Sequence, residues 1–392
     1  MPHSEFYLQL TEQKVEQMID DTAEPSDSDR LAAAYSGWLD AQRAAVDWML
    51  AAPVPHTPQD LAEGYRWATR LASLAQEWFV EKNDPLHPEL FVSQTPFRKL
   101  MVDNPDVTYW FCALDSSQMY HLTGTRGDAP YVGLTFGTPV GKGPMGGRTG
   151  TLSQVHLDSF ELGSAGEIDI WLSAVRPKGV QNWIQLDPDC GQVAIRETFH
   201  DKLTQRPSQL RVQLVGEVPP PRCTATEFAP QLEFAAMFLT FVGHACAEIW
   251  SGAQANLNHF GGKSGAEHVE DQDSELQSHS DADMTYHGGL FRLAEGEALE
   301  VTVVAPDLPF TYWGLTVTNP WMESYDARYS TTCLNDQNAQ RSEDGSWRMV
   351  IAAEDPGLPN WIDTGGRTEG YMLVRWVLAE NPPHPTARII QL

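Results

Sequence analysis

Apolar residues recur at helical spacing through much of the first hundred positions. Between residues 61 and 79 they return every three or four residues, which is the spacing of one buried helix face. Residues 57–60 (Thr-Pro-Gln-Asp) offer an N-cap threonine, a proline at the first helical position and an acidic first turn. A second apolar face runs through residues 29–50. The pattern therefore predicts a helical N-terminal region over residues 1–100.

Short apolar runs replace this pattern after Asn104, and turns rich in Gly, Asp and Pro separate them. Such runs predict β-strands, and they fall in two groups, residues 101–218 and 285–392. Between the groups, residues 225–260 carry a continuous apolar surface that predicts a bridging helix, and residues 261–284 read as an acidic loop. We expect an α+β fold with two jelly-roll-like antiparallel β-sandwich domains.

The two groups of strands share a motif. Residues 166–196 and 345–375 each open with Gly and an extended apolar run, and each reaches a turn that contains Pro and Gly. Each then continues through Asn-Trp-Ile to a short strand that ends in Arg. The match indicates two related β-domains and predicts a groove between them.

Composition and charge narrow the classes of function. The chain has 26 Lys and Arg against 53 Asp and Glu, a formal charge of −27, which disfavours nucleic-acid and anionic membrane partners. The five cysteines are scattered without metal-ligand spacing and indicate free thiols in a reducing compartment. The first residues lack a signal-peptide pattern, and the longest apolar run, residues 234–242, is too short to span a bilayer. We expect a soluble, cytoplasmic protein.

Each part of the shared motif has a structural interpretation. Asn182 and Asn360 suit turns, and the Trp after each suits a sandwich core. Trp361 also remains a candidate ligand contact, because a polar loop follows it. Arg196 and Arg375 end matching strands, where a buried guanidinium usually pairs with a carboxylate. A carboxylate-bearing or enolate-forming ligand can take that partner's place, since the guanidinium fork matches two oxygens.

Most candidate acid–base groups lie outside the shared motif. His200 follows the first Arg-ended strand, and His287 borders the second β-domain. His244 and Glu248 are four residues apart on the bridging helix and share a face, so they suit either an acid–base pair in a cleft or a structural hydrogen bond. Asp363 lies inside the second copy of the motif. The acidic loop lacks calcium-loop spacing, so we expect no metal, with a weak Ca²⁺ site as the alternative.

The sequence contains no nucleophile elbow, P-loop or dinucleotide-binding glycine pattern. We therefore expect an enzyme without a cofactor, a lyase, isomerase or hydrolase, that acts on a small, largely apolar or aromatic metabolite in an inter-domain cleft, with homo-oligomer formation left open. A carbohydrate-binding or carbohydrate-acting jelly-roll protein is the alternative, since thirteen Trp can supply platforms for sugars. The catalytic candidates are His244, Glu248, His287, His200 and Asp363. The substrate-binding candidates are Arg196, Arg375, Trp313, Trp321, Trp361 and Tyr312.

The region from Tyr286 onward carries a further pattern. Its residues are Tyr286, Tyr312-Trp313-x-Leu315, Asn319-x-Trp321, Ser324-x-Asp326, Asn335, Asp355-Pro356-Gly357-x-x-Asn360-Trp361 and Gly370 leading to Arg375. This region resembles family twelve-fourteen of the domains of unknown function, and residues 103–201 are similar to the upstream part of its longer members. The resemblance implies two jelly-roll-like sandwiches and brings no established reaction. Where relatives tend to have Ser-Leu-Asn, this chain has Cys333-Leu334-Asn335, so a role for that hydroxyl does not carry over.

Overall fold

The computed structural model describes residues 25–139, 150–261 and 283–392. The protein consists of a few helices and of several β-sheets in two sandwich-like parts, which confirms the predicted α+β fold. The helices are α1 (Asp27–Ala51), α2 (Pro58–Gln76) and α3 (Ala225–Ala253), with a π-helical turn at Glu77–Glu81 and 3-10 turns at Leu157–Ser159 and Gln254–Asn256. The start of the predicted N-terminal region, and nearly all of the predicted acidic loop with its alternative Ca²⁺ site, lie outside the described residues.

Side-chain caps fix where the helices begin. At the start of α2, the Thr57 hydroxyl accepts a hydrogen bond from the Asp60 amide at 3.2 Å, and the Asp60 carboxylate accepts one from the Thr57 amide at 3.0 Å. This capping box satisfies amides that the helix itself leaves without partners. Ser26 caps α1 in a similar way, and its hydroxyl accepts from the Asp29 amide at 3.2 Å. The helix start predicted at residues 57–60 is therefore confirmed.

Nine strands belong to the first part of the β-structure. They are β1 (Phe91–Val92), β2 (Val107–Ala113), β3 (Tyr120–Thr125), β4 (Tyr131–Gly137), β5 (Thr151–His156), β6 (Glu167–Ser173), β7 (Trp183–Gln185), β8 (Gln192–Thr198) and β9 (Gln209–Leu214). One sheet has the order β1-β2-β8-β4-β5 and the other β7-β6-β3-β9. The apolar core of this first sandwich lies between them and includes Leu134, Ile170 and Ile195.

Eight strands build the second sandwich. They are β10 (Met284–Arg292), β11 (Glu297–Val303), β12 (Tyr312–Thr318), β13 (Cys333–Asn335), β14 (Trp347–Ala352), β15 (Trp361–Asp363), β16 (Glu369–Val377) and β17 (Thr386–Gln391). The sheets have the orders β10-β16-β12-β13 and β15-β14-β11-β17. Trp313, Trp347 and Trp376 pack inside its core.

The two sandwiches have the same topology, strand for strand, from β2 to β9 and from β10 to β17. The shared motif occupies β6–β8 in one and β14–β16 in the other, as the repeated sequence predicts. The sheets are antiparallel, as predicted, apart from the short pairs β6–β7 and β14–β15, which are parallel. The segment before Asn-Trp-Ile carries the chain back beside the last three residues of the preceding strand, so the next strand runs in the same direction.

The Asn of each Asn-Trp pair has a structural role, whereas Trp183 and Trp361 are partly exposed and lie outside the two sandwich cores in which they were predicted. The Asn182 side chain donates to the Glu161 and Asp169 carbonyls and accepts from the Glu161 amide. Asn360 makes the same three bonds at the equivalent positions of the second sandwich. Both side chains therefore hold the segment after the turn against backbone 12 to 21 residues away, which is a structural role but not a bond within their own turn.

A layer of helices covers both sandwiches. The ring of Trp78, in the π-helical turn, lies 4.2 Å from that of Phe111 on β2 and 5.6 Å from that of Phe238 on α3. Leu290 and Tyr371 of the second sandwich belong to the same apolar cluster. The helix predicted to bridge the two β-units thus packs against both through this cluster.

By length and composition, α3 and its following turn (Ala225–Asn256) could cross a membrane, and no other helix among the described residues meets that test. Of its most apolar window, 44% is buried inside the molecule. Its exposed positions include Glu233, His244 and Glu248. A polar exposed stripe opposite a packed apolar face is typical of a helix in the core of a folded domain.

The sheet β1-β2-β8-β4-β5 and the sheet β10-β16-β12-β13 meet through their outer faces. Tyr131 on β4 packs with Tyr312 on β12, together with Met284 and Val377. We call the region between these two outer faces the inter-sandwich layer. It corresponds to the groove that the repeated motif predicts.

Candidate active site between the two sandwiches

A row of four residues crosses the outer face of the first sandwich. Tyr109 on β2 pairs with Arg196 on β8, Arg196 with Gly133 on β4, and Gly133 with His156 on β5. Residues paired across neighbouring strands project from the same face of a sheet. The inter-sandwich layer therefore receives a phenol, a guanidinium and an imidazole from this first row.

The second sandwich carries an equivalent second row. Tyr286 on β10 pairs with Arg375 on β16, Arg375 with Gly314 on β12, and Gly314 with Asn335 on β13. Tyr, Arg and Gly are the same in both rows, and only the fourth position differs. There the first row has a titratable histidine and the second row has a neutral amide.

The glycine in each row makes room for a tyrosine from its own strand. A Cβ atom at Gly133 would lie 2.3 Å from the Tyr131 hydroxyl oxygen, and one at Gly314 would lie 2.0 Å from that of Tyr312. Both separations are far below van der Waals contact, so only glycine fits beneath the ring. The result is that two more phenols lie over the rows, one from each sandwich.

Arg375 is buried without a carboxylate partner. Its guanidinium donates to the Thr316 hydroxyl at 3.3 Å and to the Val102 carbonyl, and it lies 5.9 Å from the centre of the Tyr286 ring. The residue is 5% exposed and forms no salt bridge with any carboxylate among the described residues. Arg196 makes the equivalent bond to the Thr135 hydroxyl, at 3.2 Å.

Both arginines act on the same phenol. Burial raises the pKa of Tyr109, and the positive charges of Arg375 and then Arg196 oppose that rise. Tyr109 also accepts a hydrogen bond from the Asn104 amide at 3.2 Å. The two guanidiniums predicted to hold an anionic group therefore approach one point of the inter-sandwich layer.

A second group of polar side chains surrounds His156. Its Nε2 atom contacts Asp283, and the same carboxylate accepts hydrogen bonds from the Gln154 amide and from the Tyr131 hydroxyl, the latter at 3.0 Å. The ring of Tyr131 meets that of His156 edge-on at 5.4 Å. The side chains of His156 and Asp283 are 35% and 23% exposed, so solvent reaches both.

Asp106 occupies the matching place beside the second row. It accepts hydrogen bonds from Asn335 and from the Tyr312 hydroxyl, both at 2.9 Å, and the Cys333 thiol lies 3.5 Å away. Burial raises the pKa of Asp106, and the hydrogen bonds from Asn335 and Tyr312 oppose the rise. Burial also places the pKa of the Cys333 thiol well above its usual range. This network is enclosed, in contrast to the group around His156.

The chain segment before Asp106 is fixed by a buried cluster. Lys99 donates to the Ser324 hydroxyl at 2.5 Å, and Ser324 donates to Asp103 at 2.7 Å. These groups satisfy one another's hydrogen-bonding capacity. The cluster therefore holds the segment that carries Asn104 and Asp106 against the second sandwich.

Three of the predicted substrate-binding residues and one predicted catalytic residue lie at the inter-sandwich layer. Arg196, Arg375 and Tyr312 are described above. His200 borders the layer, where its Nε2 atom lies 3.2 Å from the Thr311 carbonyl oxygen and 3.4 Å from Asp336. The Asp336 contact is the largest cause of a raised His200 pKa.

The other predicted catalytic residues lie elsewhere. His244 and Glu248 are on the exposed face of α3 rather than in a cleft. His287 points into the second sandwich, where its ring meets that of His384 at 4.7 Å. Asp363 ends β15, and its carboxylate accepts from the Gly365 amide in the following turn.

The predicted tryptophan contacts are packed into the protein. Trp313 is fully buried in the second core, and Trp321 is buried against α2, where its indole N–H donates to the Asp60 carbonyl at 2.8 Å. Trp361 is half-buried, and its indole N–H donates to the Ala352 carbonyl at 3.1 Å. Trp313 and Trp321 are therefore too buried to form an open platform of the kind a carbohydrate site needs.

A second repeated motif, not recognised from the sequence, marks two of the strands that face the inter-sandwich layer. Tyr-x-Gly-Leu-Thr occurs at residues 131–135 and again at 312–316, on β4 and β12. It repeats because each copy places a tyrosine over a glycine and a threonine under an arginine. His156 and Asp283 carried no such signal, since they are distant in sequence and outside the repeat. Among the described residues, no group of three or more His, Cys, Asp or Glu side chains is arranged to hold a metal ion.

Comparison with known proteins identifies similar folds without a function. Residues 291–380 match the family model described as a protein of unknown function (DUF1214), which confirms the resemblance of the second sandwich. The crystal structure of an uncharacterized protein from Burkholderia cenocepacia has a TM-score of 0.83 and 27% identity, over 93% of this chain and 99% of that one. A protein from Vibrio parahaemolyticus has a TM-score of 0.49 and 12% identity, over 83% of this chain and 98% of that one. No curated protein matches the sequence.

Proposed function

We propose that the protein, whose second sandwich matches a family of unknown function, is an enzyme that works by acid–base chemistry without a nucleotide cofactor. It is a lyase, isomerase or hydrolase, and its substrate is a small carboxylate with a largely apolar or aromatic body. The substrate binds in the inter-sandwich layer, with its carboxylate on Arg375 and near Arg196.

The observation that carries this proposal is the buried guanidinium of Arg375. A buried charge without an opposite charge is costly, and proteins normally supply a carboxylate beside it. This chain has 53 acidic residues for 26 basic ones, so acidic partners are plentiful. Within the described parts of the chain, the Arg375 guanidinium nevertheless contacts only a hydroxyl, a carbonyl and a ring. An anionic ligand completes this environment, because a guanidinium binds two carboxylate oxygens in parallel.

The surroundings of Arg375 suit an apolar or aromatic ligand body. Four phenol rings, those of Tyr109, Tyr131, Tyr286 and Tyr312, belong to or overlie the two rows. Tyrosine offers apolar ring area together with a hydroxyl that can orient a polar group. Small-molecule sites commonly combine such surfaces with a few charged anchors.

Calorimetric titration with phenylpyruvate tests the proposal. We expect wild type and Arg292→Gln to bind it equally, because Arg292 is an exposed arginine paired with Glu369. Arg375→Gln should bind it roughly 10- to 100-fold more weakly, because hydrogen bonds to a charged group contribute about 1.5–3 kcal/mol to the binding free energy. The uncharged methyl ester should bind wild type and Arg375→Gln alike. Undiminished phenylpyruvate binding by Arg375→Gln, or no binding by wild type, would overturn the proposal.

A further inference from the structure

We infer that His156, oriented by Asp283, is the acid–base residue of the inter-sandwich layer, and that the ligand is a carboxylate with an enolisable carbon next to a carbonyl. This inference rests on the proposed function, because it takes the carboxylate to be held by the arginines of the two rows. It assigns the chemistry to the first row and leaves binding and support to the second.

The spacing within the first row fits a small ligand. Arg196 and His156 lie on β8 and β5, with Gly133 on β4 between them. Neighbouring strands are about 4.8 Å apart, so the two Cα atoms are separated by roughly 10 Å, and both side chains project from one face. The glycine between them adds no side chain of its own. The Tyr131 phenol lies over this glycine, so a short carbon chain that reaches from the guanidinium toward the imidazole would pass beside its ring.

The hydrogen bonds around His156 are those of a general base. When Asp283 is ionised, it accepts the Nε2 proton of His156, which fixes the tautomer and leaves the Nδ1 lone pair able to take a proton. The same carboxylate then stabilises the imidazolium that forms. Asp283 is held in turn by Tyr131 at 3.0 Å and by Gln154. Asp283 is thus a positioning residue, and His156 is the group that touches the substrate.

The second row cannot perform this step. Asn335 stands where the first row has His156, and a neutral amide does not act as a general base near neutral pH. It is fully buried and donates to Asp106 and to the His200 carbonyl. The first row therefore supplies the reactive group and the second row helps to bind the ligand, although the other three positions of the two rows match.

The proposed step is an enolisation. His156 Nδ1 removes a proton from the carbon next to the carbonyl, and the C–H electron pair forms the C=C bond of the enolate. The carbonyl π pair moves to its oxygen, where phenol hydroxyls and guanidiniums of the layer stabilise the negative charge. The reverse step returns a proton, which has exchanged with solvent, to the same carbon. No oxidant, reductant or second substrate is required.

Deuterium exchange into phenylpyruvate tests the assignment. Proton NMR in D₂O follows loss of the C3–H signal, with the rate without protein subtracted. At saturating phenylpyruvate, His156→Gln should lower the exchange rate by about 100-fold or more, the size of a general-base contribution. Asp283→Asn should also lower the rate, while its calorimetric Kd for phenylpyruvate stays within about twofold of wild type, and Asp283→Glu should restore part of the rate.

The matched control is His121→Gln. His121 contacts Asp169 at 2.7 Å, so it is a similar His–Asp pair in the same sandwich, but it lies on the opposite sheet. Its loss should leave the exchange rate unchanged. If wild type binds phenylpyruvate but does not catalyse exchange, or if His156→Gln exchanges as fast as wild type, the assignment fails while the proposed function stands. If wild type does not bind phenylpyruvate, the proposed function itself fails.

Discussion

Arg375, which is buried, and Arg70, which is partly buried, are in opposite situations. The Arg70 guanidinium lies 2.8 Å from the Glu323 carboxylate, which is itself buried, whereas Arg375 has only neutral partners among the described residues. Burial raises the pKa of Glu323, and the charge of Arg70 opposes the rise. Arg70 therefore compensates a second buried charge, and Arg375 compensates none.

This difference predicts opposite effects on stability without ligand. Arg70→Gln should lower the free energy of unfolding by about 3–5 kcal/mol, because it leaves Glu323 as an unpaired buried charge. Arg375→Gln should leave it unchanged or raise it, since the amide still donates a hydrogen bond and a buried positive charge is removed. Urea unfolding at pH 7 measures both. A loss for Arg375→Gln as large as that for Arg70→Gln would mean that Arg375 is a structural residue.

Single residues were predictable only in part. Asn182 and Asn360 were recognisable as structural residues beside a turn, but their side chains bond backbone 12 to 21 residues away, which the sequence did not indicate. The arginines at strand ends were recognisable, but their surroundings were not. His156 escaped notice because its partner Asp283 is 127 residues away, and no sequence rule pairs them.

At the scale of elements, close packing decides where α2 lies. A Cβ atom at Gly64 would lie 2.3 Å from the Met49 sulfur of α1 and 2.8 Å from the Trp321 ring. The indole N–H of Trp321 also donates to the Asp60 carbonyl at the start of α2. The helix therefore approaches the loop after β12 through a residue that lacks a side chain.

Two glycine substitutions separate packing from helix propensity. Gly64→Ala should lower the free energy of unfolding by about 1–3 kcal/mol, since a clash against a rigid indole outweighs the helical preference of alanine. Gly37→Ala, in an exposed part of α1 with open space around it, should raise it by about 0.5–1 kcal/mol. Thermal and urea unfolding of both variants measure the difference. Equal stabilisation by the two changes would contradict the packing described for Gly64.

Helices and strands were predictable because each has a periodic pattern and a local boundary signal. The start of α2 matched its cap, and the repeated motif located β6–β8 and β14–β16. The parallel pairing of β7 and β15 was not predictable. A three-residue strand has the same pattern whichever way it runs, and its direction depends on the path of the preceding turn.

At the scale of the whole molecule, His200 joins the two sandwiches. It follows β8 of the first and contacts Thr311 and Asp336 of the second, while its own carbonyl accepts from Asn335. Asp336 raises the pKa of His200 in the folded protein above its ordinary value. Folding therefore favours the protonated imidazole.

The expected result is a stability that depends on pH. The His200 contribution is fully present below the unfolded pKa of about 6.5 and is lost as pH rises through the higher folded pKa. His87 also has a raised pKa, through Asp84, so wild type alone does not isolate the effect. We expect the gap in unfolding free energy between wild type and His200→Gln to shrink from pH 6 to pH 8.5. A gap that stays constant over this range would exclude the Asp336 contact as its source.

The arrangement of the sandwiches was predictable only in outline. Repetition of the motif indicated two related units, which the structure contains, and a groove between them, where the structure has the inter-sandwich layer. The residues that fill the groove come from outer sheet faces, where apolar and polar positions do not alternate clearly; the side chains of β5 are all partly exposed. Their partners belong to the other unit, so local patterns say nothing about them.

The two rows match at three positions and differ at the fourth, where one has His156 and the other Asn335. This difference is possible because the two sandwiches belong to one chain. In a symmetric homodimer, one gene specifies both halves, and any substitution appears in each. Here one polypeptide holds both halves under separate codons. The two positions can therefore differ, so that one half carries a histidine and the other a fully buried amide. Because one chain holds both halves, the two rows can differ at this position while their other three positions match.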